Sequence, residues 1–249
     1  MAWITGDGAQ EGKTGQPCSD VVGVLHIAEK DMVIAALADG AGTALYGGVG
    51  AQVAVGAALA FMQALCNHDL VLNAAHYEDL LIALLTSVRT AIRKHARTHH
   101  PVSAFEDFAT TFLLVIATDQ SFAALQVGDG FILRQDSDLS LHLCTQAPLR
   151  EYVNQSHFLT DDTLHPQMVF WPHRVDFWSL SSDGLESVAI DHALQRPHPG
   201  FWAPFQSYLQ AAPSGLALCQ EIKSFLASPP LSKKVKDDRS LIIGGWQSP

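Results

Sequence analysis

DVVGVLHIAEKDMVIAALADG, running from Asp20 to Gly40, is the stretch on which the reading of the whole chain turns. Val21–Ala28 and Met32–Ala38 are two apolar runs of strand length, separated by Glu29, Lys30 and Asp31. Both are apolar at alternate and intervening positions, which predicts strands covered on both faces. A hairpin turning tightly at Glu29 and Lys30 sets Asp20 directly opposite Asp39, with their Cβ atoms about 5 Å apart. Two carboxylates at that distance repel by about 3 kcal/mol at an effective dielectric near 20. A fold tolerates this through a shared proton, an intervening water or an intervening cation. For the last of these, Mg²⁺ or Mn²⁺ fits, because hard divalent cations prefer oxygen ligands.

Downstream of the hairpin, the glycine-rich segment 40–50 leads into a helix, and no charged residue occurs from Gly40 to Asn67. That is long enough to cross a bilayer. However, the segment is rich in Gly and Ala, and no Lys or Arg closely flanks either end. Gln52 and Gln63 return to one helical face. A buried helix with a thin polar stripe is expected, with no membrane partner. A second helix is predicted over Tyr77–Ala96, where Leu80, Leu81, Leu84, Leu85, Val88 and Ile92 share a side. Strands follow at Ala109–Thr118, Phe122–Val127, Phe131–Arg134 and Leu139–Leu143, then an irregular excursion over Gln146–Pro166. Further strands are expected near Met168–Trp171 and Val175–Leu180. Short helices are expected around His192–Tyr208 (broken by Pro197, Pro199 and Pro204) and Leu216–Leu226, before a last strand at Ser240–Gly244. This order lacks the strand–helix alternation of a parallel sheet. It points to an α+β fold of antiparallel sheets with helices packed outside, in one domain over residues 1–249.

With 48% hydrophobic and 16% charged residues, the composition is that of a compact globular chain. A formal net charge of −10 makes nucleic acid an unfavourable partner. Lys233, Lys234 and Lys236 read as a solvated loop beside Asp237 and Asp238. Cys18, Cys66, Cys144 and Cys219 are scattered and read as free thiols in a reducing compartment. Asp7 and Glu11 interrupt the opening, no signal peptide is read there, and a cytoplasmic location is expected. Twelve histidines offer no ligand pair at zinc spacing. Asp7-Gly-Ala-Gln-Glu-Gly-Lys-Thr14 approaches a P-loop, but Asp7 takes the first glycine position and too few residues precede it for a strand. In Gly40-Ala-Gly42, a partial dinucleotide fingerprint, Leu45 stands where the third glycine belongs.

More aspartates sit at strand edges beside turn residues: Asp129 in Val127-Gly-Asp-Gly130, Asp183 in Ser181-Ser-Asp-Gly184, and Asp237 with Asp238 before the last strand. Singly, each is an ordinary turn. In order, Ala38-Asp-Gly-Ala-Gly42, Gly128-Asp-Gly130, Ser182-Asp-Gly184 and Asp237-Asp-Arg-Ser240 resemble the motifs of the type 2C (PPM) metal-dependent serine/threonine protein phosphatases. The opening, Trp3 through Gly15-Gln-Pro-Cys-Ser-Asp20, resembles a bacterial-type branch of that family.

The resemblance implies two stacked antiparallel β-sheets flanked by helices on both outer faces, an αββα sandwich. It implies hydrolysis of phosphoserine or phosphothreonine in proteins by a hydroxide bridging two divalent cations, Mn²⁺ or Mg²⁺. Asp39 would bridge the metals, the Gly40 carbonyl would help hold one, and Asp183 and Asp237 would ligate the second. Asp20 would support the pair and Asp129 would help hold a third, weaker metal. The implied partner is a phosphorylated protein, with a serine/threonine kinase or its targets. Two positions depart from the family pattern: Gly15 lies where a phosphate-holding arginine is usual, with Lys13 the candidate substitute, and Ala41 stands where eukaryotic members have histidine. These departures motivate an alternative, a catalytically weak or inactive phosphatase-fold scaffold or sensor that binds phosphoproteins.

Overall fold

The computed structural model describes residues 3–11, 17–67, 72–136, 138–145 and 157–246, with the backbone alone for 3–11. The predicted hairpin is present as β2 (Asp20–Ile27) and β3 (Met32–Asp39), joined by a single 3₁₀ turn that Asp31 closes in the left-handed region. Its register pairs Ile27 with Met32 and Asp20 with Asp39, as the sequence requires.

Strand β3 shows why both of its faces are apolar. Ile34, Ala36 and Ala38 point into one core, where α1 (Gly47–Cys66) and α2 (Tyr77–His99) cover the sheet. Val33, Ala35 and Leu37 point into a second core between the two sheets. β4 (Phe112–Thr118) divides its side chains in the same way, and β5 (Phe122–Val127) and β8 (Gln167–Trp171) complete a sheet ordered β2-β3-β4-β5-β8. The facing sheet is ordered β1-β12-β9-β6-β7, from β1 (Trp3–Glu11), β12 (Arg239–Trp246), β9 (Phe177–Ser181), β6 (Phe131–Gln135) and β7 (Leu141–Leu143). Neighbouring strands are antiparallel throughout.

On the outer face of that second sheet, Leu241 and Ile243 of β12 meet Trp202, Phe205, Ile222 and Leu231. These come from α4 (Pro199–Ala211), α5 (Gly215–Leu226) and α6 (Pro229–Lys234). Each aliphatic side chain fully buried in these layers contributes about 1.5–3 kcal/mol. Between β9 and α4 lie the short α3 (Glu186–Ala189) and a two-residue hairpin of β10 (Ile190–Asp191) with β11 (Arg196–Pro197). The architecture is the expected αββα sandwich.

Several expectations need correction. Trp3–Glu11 is a strand, although Gly6, Asp7 and Gly8 hide its alternation; the register slips between Gly6 and Ala9. Asp7 and Gly8 therefore sit at a bulge on a sheet edge, and the near P-loop begins inside a strand. Lys233 and Lys234 belong to the last turn of α6, not to a loop, where their charge suits the helix C-terminus. Pro204 lies within α4 without ending it, and Pro199 starts that helix. The uncharged α1 is long and apolar enough to cross a membrane by length and composition. Here its Ala51, Ala54, Ala58 and Met62 stripe packs into the first core, with Gln52 and Gln63 exposed on the other side. The predicted excursion at Gln146–Pro166 lies outside the described residues up to 156, and 157–166 contains neither helix nor strand.

Candidate metal centre

Five separate segments bring aspartates to one end of the sandwich. Asp20 opens β2 and Asp39 closes β3 on one sheet, while Asp183 follows β9 and Asp237 and Asp238 precede β12 on the other. Asp129 occupies the turn where the chain crosses from β5 to β6, from one sheet to the other. Gly128 and Gly130 both take φ of 90°, so only glycine makes this crossing without strain. Gln126 Nε2 donates to the carbonyls of both glycines at 3.0 Å and holds the turn that presents Asp129.

Backbone contacts fix the other arms. The Asp39 N–H donates to Thr111 Oγ1 at 3.0 Å, and its carbonyl accepts from Thr110 Oγ1 and the Thr111 N–H, both at 2.9 Å. Gly40 lies so close to Gly47 and Gly48 at the start of α1 that a Cβ there would strike their backbone. A Cβ on Gly184 would collide with the Asp238 carbonyl, which is how the Asp183 loop is seated on the Asp237–Asp238 segment. Ser182 and Ser240 join the same two segments, the Ser240 N–H donating to Ser182 Oγ at 3.0 Å.

Burial and mutual repulsion dominate the electrostatics of the cluster. Asp20 is 0% exposed, and neither of its oxygens accepts a hydrogen bond of normal geometry. The hydroxyls of Ser182 and Ser240 lie near enough to ease its charge, but burial dominates and pushes its acidity constant up. Burial, followed by the charges of Asp20, Asp183 and Asp129, pushes Asp39 up to about 10. Asp183 rises to about 6 through burial and the charges of Asp129, Asp237 and Asp20. Such a set of hard oxygen donors, with buried lone pairs left unused, fits a divalent cation.

The structure thus brings Asp20, Asp39, Asp129, Asp183 and Asp237 into one electrostatic unit. It also reveals what sequence reasoning missed. Cys18 Sγ and carboxylate oxygens of Asp20 and Asp238 all lie within 4.8 Å of one another, and no other such trio, with or without histidine, occurs among the described residues. Asp39, Asp183 and Asp237 are therefore spaced more widely than that group. Asp238 is 6% exposed and accepts from the Ser19 N–H at 2.8 Å, tying the lead-in of β2 to that of β12. Its burial was not legible in the Asp237-Asp238 pair, where either residue could have turned inward. Cys18 was discoverable: it stands two residues before Asp20, on the same side of an extended chain. Burial and the Asp20 charge push its thiol up to about 12, which favours the neutral form. All four cysteines are free, as expected. Lys13 and the Gly15 position lie outside the described residues. Ala41 spends its N–H on the Ala109 carbonyl at 2.9 Å and offers no side chain to the site.

Comparison with known proteins gives this pocket a context. The Protein phosphatase 2C family model matches residues 7–227. Serine/threonine-protein phosphatase 3 of Escherichia coli is 31% identical over 242 residues, covering 92% of this chain and 91% of its own. The fold resembles Stp1, a serine/threonine phosphatase of Staphylococcus aureus, with a TM-score of 0.70 at 13% identity over 100% of this chain and 96% of that one. It also resembles the catalytic domain of the serine threonine protein phosphatase PstP, solved with two manganese ions. There the TM-score is 0.64 at 16% identity over 99% and 100% of the two chains. Its sequence matched by the family model across most of its length and its sandwich shared with solved phosphatases, the chain belongs to the bacterial-type branch of the protein phosphatase 2C family and is a protein phosphatase.

Proposed function

We propose that the aspartate pocket holds two divalent cations, Mn²⁺ or Mg²⁺, and that the chain uses them to hydrolyse phosphoserine and phosphothreonine in proteins. The observation that carries this reading is Asp20, whose two fully buried oxygens accept no hydrogen bond of normal geometry and whose neighbours, besides the Ser182 and Ser240 hydroxyls, are the carboxylates of Asp39 and Asp238. Divalent cations bound there would lower the proton affinity of water and offset charge on the phosphate oxygens. Asp39, between Asp20 and Asp183, is the residue assigned to both cations, with Asp183 and Asp237 on one side and the Gly40 carbonyl on the other. Asp129 is assigned to a third, weaker site. Asp20 is assigned to the support of that metal pair, and Asp238 holds the lead-in of β2 through the Ser19 N–H. Manganese in the PstP structure supports the choice of metal.

A serine/threonine kinase, or the proteins that it phosphorylates, is the proposed partner, within a reducing cytoplasm that keeps the four thiols free. Asp20, Asp39 and Asp183 lie at the junction of the sheets, where a phosphoryl group on a flexible chain could enter over the exposed Asp237. The test is hydrolysis of an aryl phosphate and of phosphothreonine peptides with Mn²⁺ and with excess chelator. Turnover with Mn²⁺ that chelator abolishes is expected. Equal rates in both would remove the cations from the reaction, and no turnover in either would favour the scaffold that binds phosphoproteins without acting on them.

A further inference from the structure

Among α3, α4, α5 and α6 lies a groove of about 680 Å³, within the range of about 300–1,000 Å³ typical of ligand pockets. Val188, Phe201, Phe225 and Leu231 wall it, and His198 and Lys234 place polar groups on its lining. The two aromatic walls meet edge to face, with ring centroids 5.5 Å apart. Phe201 and Phe225 are only partly buried, so the aromatic surface is available to a visitor.

Two of its walls grow directly out of the catalytic segments. Ser187 and Val188 lie on α3, which follows Asp183 within one turn. Four helical residues from Asp183 to Ser187 rise about 6 Å. Lys234 ends α6, three residues before Asp237, a span of at most about 11 Å. Residues on two walls of the groove therefore lie within about 6–11 Å of Asp183 and Asp237 along the backbone, the span of about two to four extended residues. Charge restricts the visitor further. In a molecule of net charge −10, the exposed Lys234 lines the groove, and the exposed Lys233 and Lys236 are its neighbours in sequence.

We propose that this groove is a docking site for the phosphoprotein substrate itself, taking a bulky apolar side chain against the joined Phe201 and Phe225 rings and an adjacent carboxylate at Lys234. The proposal rests on the metal-phosphatase reading above and adds the substrate class: phosphorylated serine or threonine with an apolar and an acidic residue two to four positions away.

The experiment compares phosphothreonine peptides carrying leucine and glutamate at those positions, on either side, with the same peptides carrying alanine at both. The unaltered chain should favour the leucine–glutamate peptide in one direction by about tenfold or more in kcat/KM, the size of discrimination an apolar pocket supplies. Ser187→Trp, which fills the groove from an exposed position, should bring that ratio near unity. Lys234→Glu should shift the preference from glutamate to lysine. Aryl phosphate turnover with Mn²⁺, which no groove contact assists, reports separately on the metal centre. If it is intact while all peptides react alike, or if both variants keep the preference, the groove is not the docking site. If the unaltered chain shows no aryl phosphate turnover, the metal reading fails and the docking site falls with it.

Discussion

Asp39 sits at the electrostatic centre of the cluster. It faces Asp20 across the hairpin and feels Asp183 from the end of β9 and Asp129 from the turn between the sheets, and burial together with these charges pushes its carboxyl up to about 10. Replacing it by the isosteric amide separates its two roles. Asp39→Asn removes the ligand assigned to both cations, and turnover should fall by a factor on the order of 100 or more, since even groups that only orient a ligand cost about 10–100-fold. The same change removes a carboxyl that the metal-free fold must keep protonated, so in chelator near neutral pH the variant should melt above the unaltered protein. Thermal melts and steady-state rates on one preparation check both outcomes. Near-normal rates would overturn the assignment, and a lower melting temperature in chelator would overturn the electrostatic account. Asp129→Asn, at the half-buried turn between sheets, should leave the maximal rate closer to normal while more metal is needed to reach it; an unchanged Mn²⁺ titration would remove Asp129 from the metal site.

Among the elements, glycines show where close approach matters. Gly184 has its Cα against the Asp238 carbonyl, so Gly184→Ala must push the Asp183 loop off the Asp237–Asp238 segment. Crowding of this kind costs about 1–3 kcal/mol. A lower melting temperature and weaker Mn²⁺ binding should appear together; stability lost without any change in metal binding would uncouple the loop from the site. Gly56, exposed in the middle of α1 with nothing near its Cα, is the opposite case. Gly56→Ala should stabilise the protein by roughly 1 kcal/mol with no effect on turnover. The elements most legible in the sequence were those whose apolar residues recur at strand or helix spacing. The β2–β3 register, β5 and the Leu-rich stripe of α2 followed from apolar spacing, and the burial of β3 and β5 holds the strands against slipping. The edge strand β1 was not legible, because a bulge at Asp7 and Gly8 breaks its period. The short α6 was missed because its start at Ser228-Pro229-Pro230 reads equally as a turn. At the site, the motif aspartates were legible through their place at strand ends. The inward turn of Asp238 and its hold on Ser19 were not, since they depend on which of two adjacent carboxylates the sandwich buries.

For the molecule as a whole, the gathered carboxylates set how stability depends on pH. Asp39 has an ordinary value of 3.8 and a folded value of about 10, and Asp183 rises from 3.8 to about 6. Between these limits the folded, metal-free chain binds more protons than the unfolded one, so stability must fall as pH rises. The contribution is complete below about pH 4, Asp183 has given up its share by about pH 6, and Asp39 continues to lose stability towards about pH 10. In excess chelator, melting temperature should therefore drop between about pH 5.5 and about pH 8.5. Cations reverse the sign, because they bind the ionised carboxylates and compete with protons. Manganese at about 100 times its dissociation constant adds about 2.7 kcal/mol, and at one fixed Mn²⁺ concentration the gain should be larger at the alkaline end, where binding is tighter. Melts across this pH range, with chelator and with Mn²⁺, read both slopes directly. Asp39→Asn assigns the cause: it should flatten the slope in chelator, whereas the same slope in that variant would trace the effect to groups elsewhere in the chain. A melting temperature in chelator that holds steady or climbs towards alkaline pH would mean that the aspartates are already neutralised within the fold, leaving nothing for a cation to do.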